Sequence, residues 1–192
     1  MKTDMDASTG NNGFIVSEGL GAVLMDVQPR ILTSIQGNEE LYQSFEIYAR
    51  SMSILKIPLV LTEQVPSKLG VTPGSISKYC DQTFSKNSFS AFGDPYFCNW
   101  IESNKISHLL LGGIETPICI YLTAMEARRR NIGVTVLTDC VSGRRKEDEE
   151  YAMIELSNSG THLLGLETVL YSFLNSSEHP AFREISHMVR NR

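Results

Sequence analysis

Short runs of apolar residues alternate along this chain with longer stretches in which apolar positions recur about every three to four residues. Ala22-Val23-Leu24-Met25 ends at Asp26, and Pro58-Leu59-Val60-Leu61 ends at Thr62. Val134-Thr135-Val136-Leu137-Thr138 ends at Asp139, while His108 to Leu111 and Thr161 to Leu164 are runs of the same kind. Thr83 to Ser85 is a shorter and more polar one. Each run is too short for a helix and too uniformly apolar for a strand with one wet face. They read as strands buried on both sides.

The longer stretches read as helices. Leu41 to Leu55 carries Leu41, Phe45, Tyr48, Ala49 and Met52 at helical spacing. Pro117 to Arg130 is closed by Asn131 and Gly133, and Lys146 to Ser159 is ended by Gly160, a residue suited to a helix C-terminus. Pro180 to Val189 gives a last surface helix. Buried strands separated by helices predict an α/β domain, doubly wound, with a parallel sheet covered on both faces. The polar stretch 1–13 reads as a flexible N-terminal tail and 14–192 as a single domain, with no internal repeat or linker to divide it.

Composition changes this picture little. Hydrophobic residues at 42% and charged residues at 20% of 192 are globular proportions, which argues against disorder in the body of the chain. A formal net charge of -5 lacks the basic footprint of a nucleic-acid binder. No apolar run is long enough to cross a bilayer, and the N-terminus lacks the basic-then-apolar order of a secretion signal. The expectation is a cytoplasmic protein, with an organellar site left open. The four cysteines (Cys80, Cys98, Cys119 and Cys140) form no C-x-x-C pair, and the four histidines (His108, His162, His179 and His187) lack ligand spacing. Reduced thiols and no metal site are expected.

In open parallel sheets ligands bind beyond the carboxyl ends of the strands. That rule selects Asp26, Thr62-Glu63-Gln64, Gly112-Gly113 and Asp139. After Gly112-Gly113 comes Ile114-Glu115-Thr116-Pro117-Ile118-Cys119, in which Thr116 suits an N-cap and Pro117 the first helical position. Cys119 then falls in a first helical turn, where unpaired N–H groups favour a thiolate and could hold an oxyanion. A small buried hydrophobe is the competing reading of such a cysteine. Asp26 ends a buried strand, where a carboxylate is costly unless paired or used, or serves as a loop anchor. Lys86 lies in the aromatic-rich segment Phe84 to Phe92 and either covers apolar surface or serves a neighbouring carboxylate and thiol.

Together these segments resemble the isochorismatase-like cysteine hydrolase superfamily. The likeness rests on Leu24-Met25-Asp26-Val27-Gln28, on Lys86 four residues before Ser90-Ala91-Phe92, and on the Gly113-to-Cys119 turn, in family order from about Gly21 to Ser172. Thr62-Glu63-Gln64-x-Pro66-x-x-Leu69-Gly70, Gly113-Ile114-Glu115 and His179-Pro180-x-Phe182-x-Glu184-Ile185 are similar to the isochorismatase-domain-containing, or mitochondrial-associated-ribonuclease-like, branch. The resemblance implies a three-layer αβα sandwich on a mostly parallel six-stranded, Rossmann-like sheet, in a homo-oligomer. It implies an Asp26–Lys86–Cys119 triad, a cis peptide joining Ile114 to Glu115, and an oxyanion hole from the amides of Glu115 and Cys119. It implies a small amide-type substrate and no cofactor. Glu63 and Gln64, at a strand end on the expected site edge, are candidate substrate contacts or loop anchors, and Phe92 is a candidate substrate contact. Nicotinamidases of the superfamily carry an Asp-x-His and a further His after the second strand; Thr62 to Pro66 holds no histidine, which departs from that metal site. Glu115, where many relatives have a small residue, would disfavour anionic substrates unless neutralised or turned away.

Other signals read as structural. Asp139 is expected to cap the next helix with Ser142, Trp100 to pack a helix with Phe97 and Ile101, and the Arg128–Arg130 and Arg144–Lys146 clusters to face solvent. Against the hydrolase stands a catalytically quiet scaffold that binds a ligand, and then a redox-sensing thiol without a resolving partner nearby.

Overall fold

The expected buried strands form, and side-chain alternation explains how each serves two cores at once. The computed structural model describes residues 19–192, so the expected tail, 1–13, lies outside the described residues. The strands are β1 (Leu20–Met25), β2 (Leu59–Gln64), β3 (Gln82–Lys86), β4 (His108–Ile114), β5 (Gly133–Ser142) and β6 (His162–Leu164). They make one six-stranded sheet in the order β3-β2-β1-β4-β5-β6, and every pairing is parallel. The α/β reading holds.

The helices among the described residues are α1 (Pro29–Leu32), α2 (Asn38–Leu55), α3 (Pro66–Leu69), α4 (Gly74–Ser77), α5 (Pro95–Ser103), α6 (Tyr121–Arg129), α7 (Lys146–Asn158), α8 (Leu166–Leu174) and α9 (Phe182–Arg190). On one face of the sheet Ala22, Leu24, Leu59, Leu61 and Leu110 pack against Phe45, Tyr48 and Met52 of α2, Leu170 of α8 and Ile185 of α9. On the other face Val23, Met25, Val60, Leu109 and Val136 pack against Phe97 and Trp100 of α5, Ala124 of α6 and Leu156 of α7. Trp100 is therefore a packing residue, its ring 5.7 Å from that of Phe97.

The order of strand addition reverses between β1 and β4: from β1 the sheet grows one way to β2 and β3, and from β4 the other way to β5 and β6. Loops leaving the two central strands therefore diverge and open a crevice at their carboxyl ends. Asp26 stands at the end of β1, and the Gly113-to-Cys119 segment at the end of β4.

Two expectations, one about β4 and one about β5, need correction. Gly112 and Gly113 do not follow the strand but lie inside it, since β4 continues to Ile114. Gly113 adopts φ 119°, and a Cβ there would collide with the backbone of Met25, so only glycine lets β4 run this close to β1. Opposite Gly112 the register slips, and Leu137 to Cys140 of β5 have no partner in β4 before pairing resumes at Gly113 and Val141. This bulge carries β5 past Asp139, where a loop was expected. Asp139 does cap a helix, but a different one. Its Oδ1 accepts the N–H of Leu166 at the start of α8 (2.7 Å), and its Oδ2 pairs with Arg192 (2.5 Å).

Candidate active site

Cys119 sits in a π-helical turn, Thr116–Ile120, that precedes α6. The Ile120 N–H reaches back five residues to the Glu115 carbonyl (3.2 Å), which widens the turn. Such wide turns are frequent at functional sites. The residue preceding the turn is Glu115, so Thr116 is not the N-cap; its hydroxyl is buried and makes no hydrogen bond in the structure. The peptide joining Ile114 and Glu115 is cis.

Three strand ends bring Asp26, Lys86 and Cys119 together. Asp26 turns out of β1 in a left-handed conformation (φ 55°), one that a short polar residue tolerates. Its Oδ2 lies 2.7 Å from Lys86 Nζ, and both side chains are fully buried. Its Oδ1 accepts the Thr62 hydroxyl at 2.8 Å. Lys86, the last residue of β3, also donates to Gln64 Oε1 at 2.7 Å and stands 3.6 Å from Cys119 Sγ. The buried carboxylate is thus paired, as its position at a strand end demands.

The electrostatics of the thiol differ from the helix-start expectation. Burial, with Cys119 only 7% exposed, is the largest influence on it and pushes it up. The Asp26 carboxylate pushes the same way and the Lys86 ammonium opposes both, leaving the thiol at about 12. At rest the proton therefore belongs to sulfur, with a hydrogen-bonding carboxylate beside it. A short turn that buries its cysteine loses to desolvation what its N–H groups contribute.

The remaining candidates separate. Thr62 and Gln64 project to the triad side of β2, so Glu63 between them projects to the other face. There Glu63 Oε1 accepts the Thr72 N–H at 2.6 Å, anchoring a loop; the substrate-contact reading of Glu63 is not supported. Phe92 is corrected likewise. Its ring is buried edge-on against Phe97 (5.2 Å) and capped by the Arg130 guanidinium (4.8 Å). Gln64 touches Lys86 and is retained at the site. Among the described residues no group of three or more His, Cys, Asp and Glu is placed to hold a metal ion.

Sequence reasoning placed Arg144 only in a surface cluster and Gln28 only in a motif, and foresaw the contacts of neither. The β5 bulge and extension bring Arg144 to Glu115, with Nε 2.8 Å and the backbone N–H 3.2 Å from Oε2. The Glu115 side chain is 12% exposed and that of Arg144 57%. Glu115 is thereby neutralised beside the nucleophile, as an anion-tolerant site would require. The two residues line a cavity of about 450 Å³ with Pro117, Ile118, Arg145 and Asp148. Removing the cation in Arg144→Ala is expected to slow modification of Cys119 by iodoacetate about fivefold more than by neutral iodoacetamide. Equal slowing of both reagents would count against a charge-setting role. No local sequence signal pointed to this pair, because the bulge that creates it is a long-range feature.

A doubly wound α/β sheet carrying a thiol, a carboxylate and an amine at its switch point defines a class of cysteine-centred α/β proteins. The chain belongs to the isochorismatase domain family, whose model matches residues 22–168. Among curated relatives, isochorismatase domain-containing protein 2A of Mus musculus is 28% identical over 187 residues, covering 97% of this chain and 90% of its own. Among solved structures, one described as MAR1 ribonuclease from Caenorhabditis elegans superposes with a TM-score of 0.85 at 25% identity, covering 92% of each chain. The YcaC gene product of Escherichia coli, described as an octameric hydrolase of unknown specificity, shares the fold (TM-score 0.82, 14% identity, 92% and 96% covered).

Proposed function

We propose that this protein is a metal-independent cysteine hydrolase that cleaves a small amide-type or related substrate through a thioester. The observation that carries the reading is the contact chain Asp26–Lys86–Cys119, with its carboxylate–ammonium distance of 2.7 Å and ammonium–sulfur distance of 3.6 Å. Membership of a family with hydrolases in it supports the reading at the level of class.

Asp26 takes the Cys119 proton as sulfur attacks the substrate carbonyl carbon, and Lys86 stabilises the thiolate as it forms. The oxyanion so formed is held by the N–H groups of Glu115 and Cys119. When the tetrahedral intermediate collapses, Asp26 returns the proton to the leaving nitrogen and the acyl–sulfur thioester remains. Asp26 then deprotonates a water, which attacks the thioester carbon. The carboxylic acid departs, and the proton goes back to sulfur. Water and amide are consumed, and acid and amine are released.

One observation favours the quiet scaffold as a second reading: the thiol is nearly enclosed, and that burial pushes it up towards its protonated form. The two are separated by incubating a library of small neutral and anionic amides with wild type and Cys119→Ala. The hydrolase reading expects turnover of at least one member by wild type alone, and an acyl mass on the Cys119 peptide after acid quench. No Cys119-dependent turnover or adduct across the library would favour the scaffold. Self-association belongs to the same proposal, since the octameric neighbour has this fold. Ribonuclease activity is not part of it, because a net charge of -5 is not the basic footprint expected of a polyanion binder.

A further inference from the structure

Gln28 is completely buried, two residues beyond Asp26, and has no role in the triad chemistry described above. Its side-chain amide does what a backbone would do if β1 continued. Its Oε1 accepts the Gln64 N–H at 2.8 Å, and its Nε2 donates to the Gln64 carbonyl at 3.1 Å and to the Gly70 carbonyl at 2.5 Å. Both carbonyls can only accept and the N–H can only donate, so this amide has one permitted orientation. β1 leaves the sheet at Asp26, whose turn into the left-handed region ends its ladder. The last residue of β2 would otherwise lose its partners on that side, and Gln28 supplies them.

The amide of Gln64 is fixed by the same logic. Its Nε2 donates to the Asn87 carbonyl at 2.9 Å, which leaves Oε1 facing Lys86 Nζ at 2.7 Å. A lysine ammonium has three N–H donors. Lys86 has three acceptors: Asp26 Oδ2, Gln64 Oε1 and Cys119 Sγ. Asp26 alone would let the ammonium pivot about one contact. Gln64 supplies the second fixed oxygen, and two fixed acceptors leave the third N–H aimed at sulfur.

We infer that Gln64, clamped by Gln28, is a positioning residue that aims the Lys86 ammonium at Cys119, rather than a group that reads the substrate. This rests on the triad reading of the proposed function, but its test needs no substrate. Failure to find a hydrolysed amide would leave it untouched, and its own failure would leave the hydrolase standing.

The experiment measures iodoacetamide modification at the Cys119 peptide at pH 9 in the full chain, for wild type, Gln64→Met, Lys86→Met and the double variant. Gln64→Met keeps the side-chain length and removes the amide. An ammonium no longer aimed at sulfur stabilises the thiolate less, and a loss of about one pK unit slows modification about tenfold. The same substitution in the Lys86→Met background is expected to change the rate less than about twofold, because Gln64 acts only through the lysine. A tenfold loss in both backgrounds, or in neither, would overturn the inference. Should Lys86→Met not fold, the ¹H–¹⁵N signal of the Lys86 ammonium gives a second measurement. It is expected to exchange slowly with water in wild type and in Cys119→Ala, and to broaden beyond detection in Gln64→Met. An unchanged signal in Gln64→Met overturns the inference equally. Gln28→Met is expected to act in the same direction as Gln64→Met.

Discussion

Asp26→Asn is expected to make Cys119 more reactive towards a simple alkylating agent while abolishing turnover. The opposite signs follow from the two roles the carboxylate has under the proposed mechanism. As a neighbouring charge it helps burial to hold the thiol up at about 12, above its ordinary value of 9.0. A thiol is reactive only as thiolate, so at fixed pH below its pKa a fall of one unit raises the rate about tenfold. Asparagine removes the charge and leaves the burial, so the thiol comes down without reaching its ordinary value. The rate–pH profile should move to lower pH, with about tenfold faster modification at pH 8. As a base, by contrast, the carboxylate cannot be replaced by an amide, and hydrolysis should drop by about two to four orders of magnitude. Asparagine tolerates the left-handed conformation at this position, so the backbone should survive. Alkylation that slows in step with turnover would show that the carboxylate activates the resting thiol, contrary to this account.

Lys86→Met is expected to produce the largest loss of stability among the site variants. It leaves the Asp26 carboxylate buried with the Thr62 hydroxyl but without its cation, and breaking a buried pair from one side costs about 3–5 kcal/mol. The Asp26→Asn/Lys86→Met double variant should recover most of that loss, because a buried pair contributes little net stability once its desolvation is counted. Urea unfolding of the three proteins measures both effects. A double variant no more stable than Lys86→Met would mean that the lysine's cost lies in packing, not in the stranded charge.

The strands were legible because burial on both faces leaves uninterrupted apolar runs, and α2 because a helix with one apolar face leaves a period; α7, which buries only Ala152 and Leu156, was bounded by the Gly160 that follows it. The short helices α1, α3 and α4, each one turn long, leave no period to read. The π turn was read as the start of α6 because Thr116-Pro117 has the composition of a helix N-terminus. What widens it is the bond from Ile120 to Glu115, which composition does not encode. At the site, Asp26 and Cys119 could be found from strand ends, and Lys86 only through resemblance. Gln64 was legible as a position but its partners were not, since they come from Gln28, Asn87 and Lys86 on three separate segments. Glu63 was left between substrate contact and loop anchor for a simpler reason. Position at a strand end does not say which face a side chain takes, and counting alternately from Thr62 would have placed it.

The strand that delivers the lysine is one of the two edge strands of the sheet. β3 lies at its edge, bonded to β2 alone, and Gln82, Thr83 and Ser85 face solvent. Segments with few buried contacts open at lower free energy than the centre of a fold. In rising denaturant the cation should therefore leave the site while β1 and β4 still hold the carboxylate and the sulfur. Amide hydrogen exchange over Gln82 to Lys86 should run ahead of that in β1. Hydrolytic activity should disappear at denaturant concentrations where far-ultraviolet dichroism is still that of the native protein.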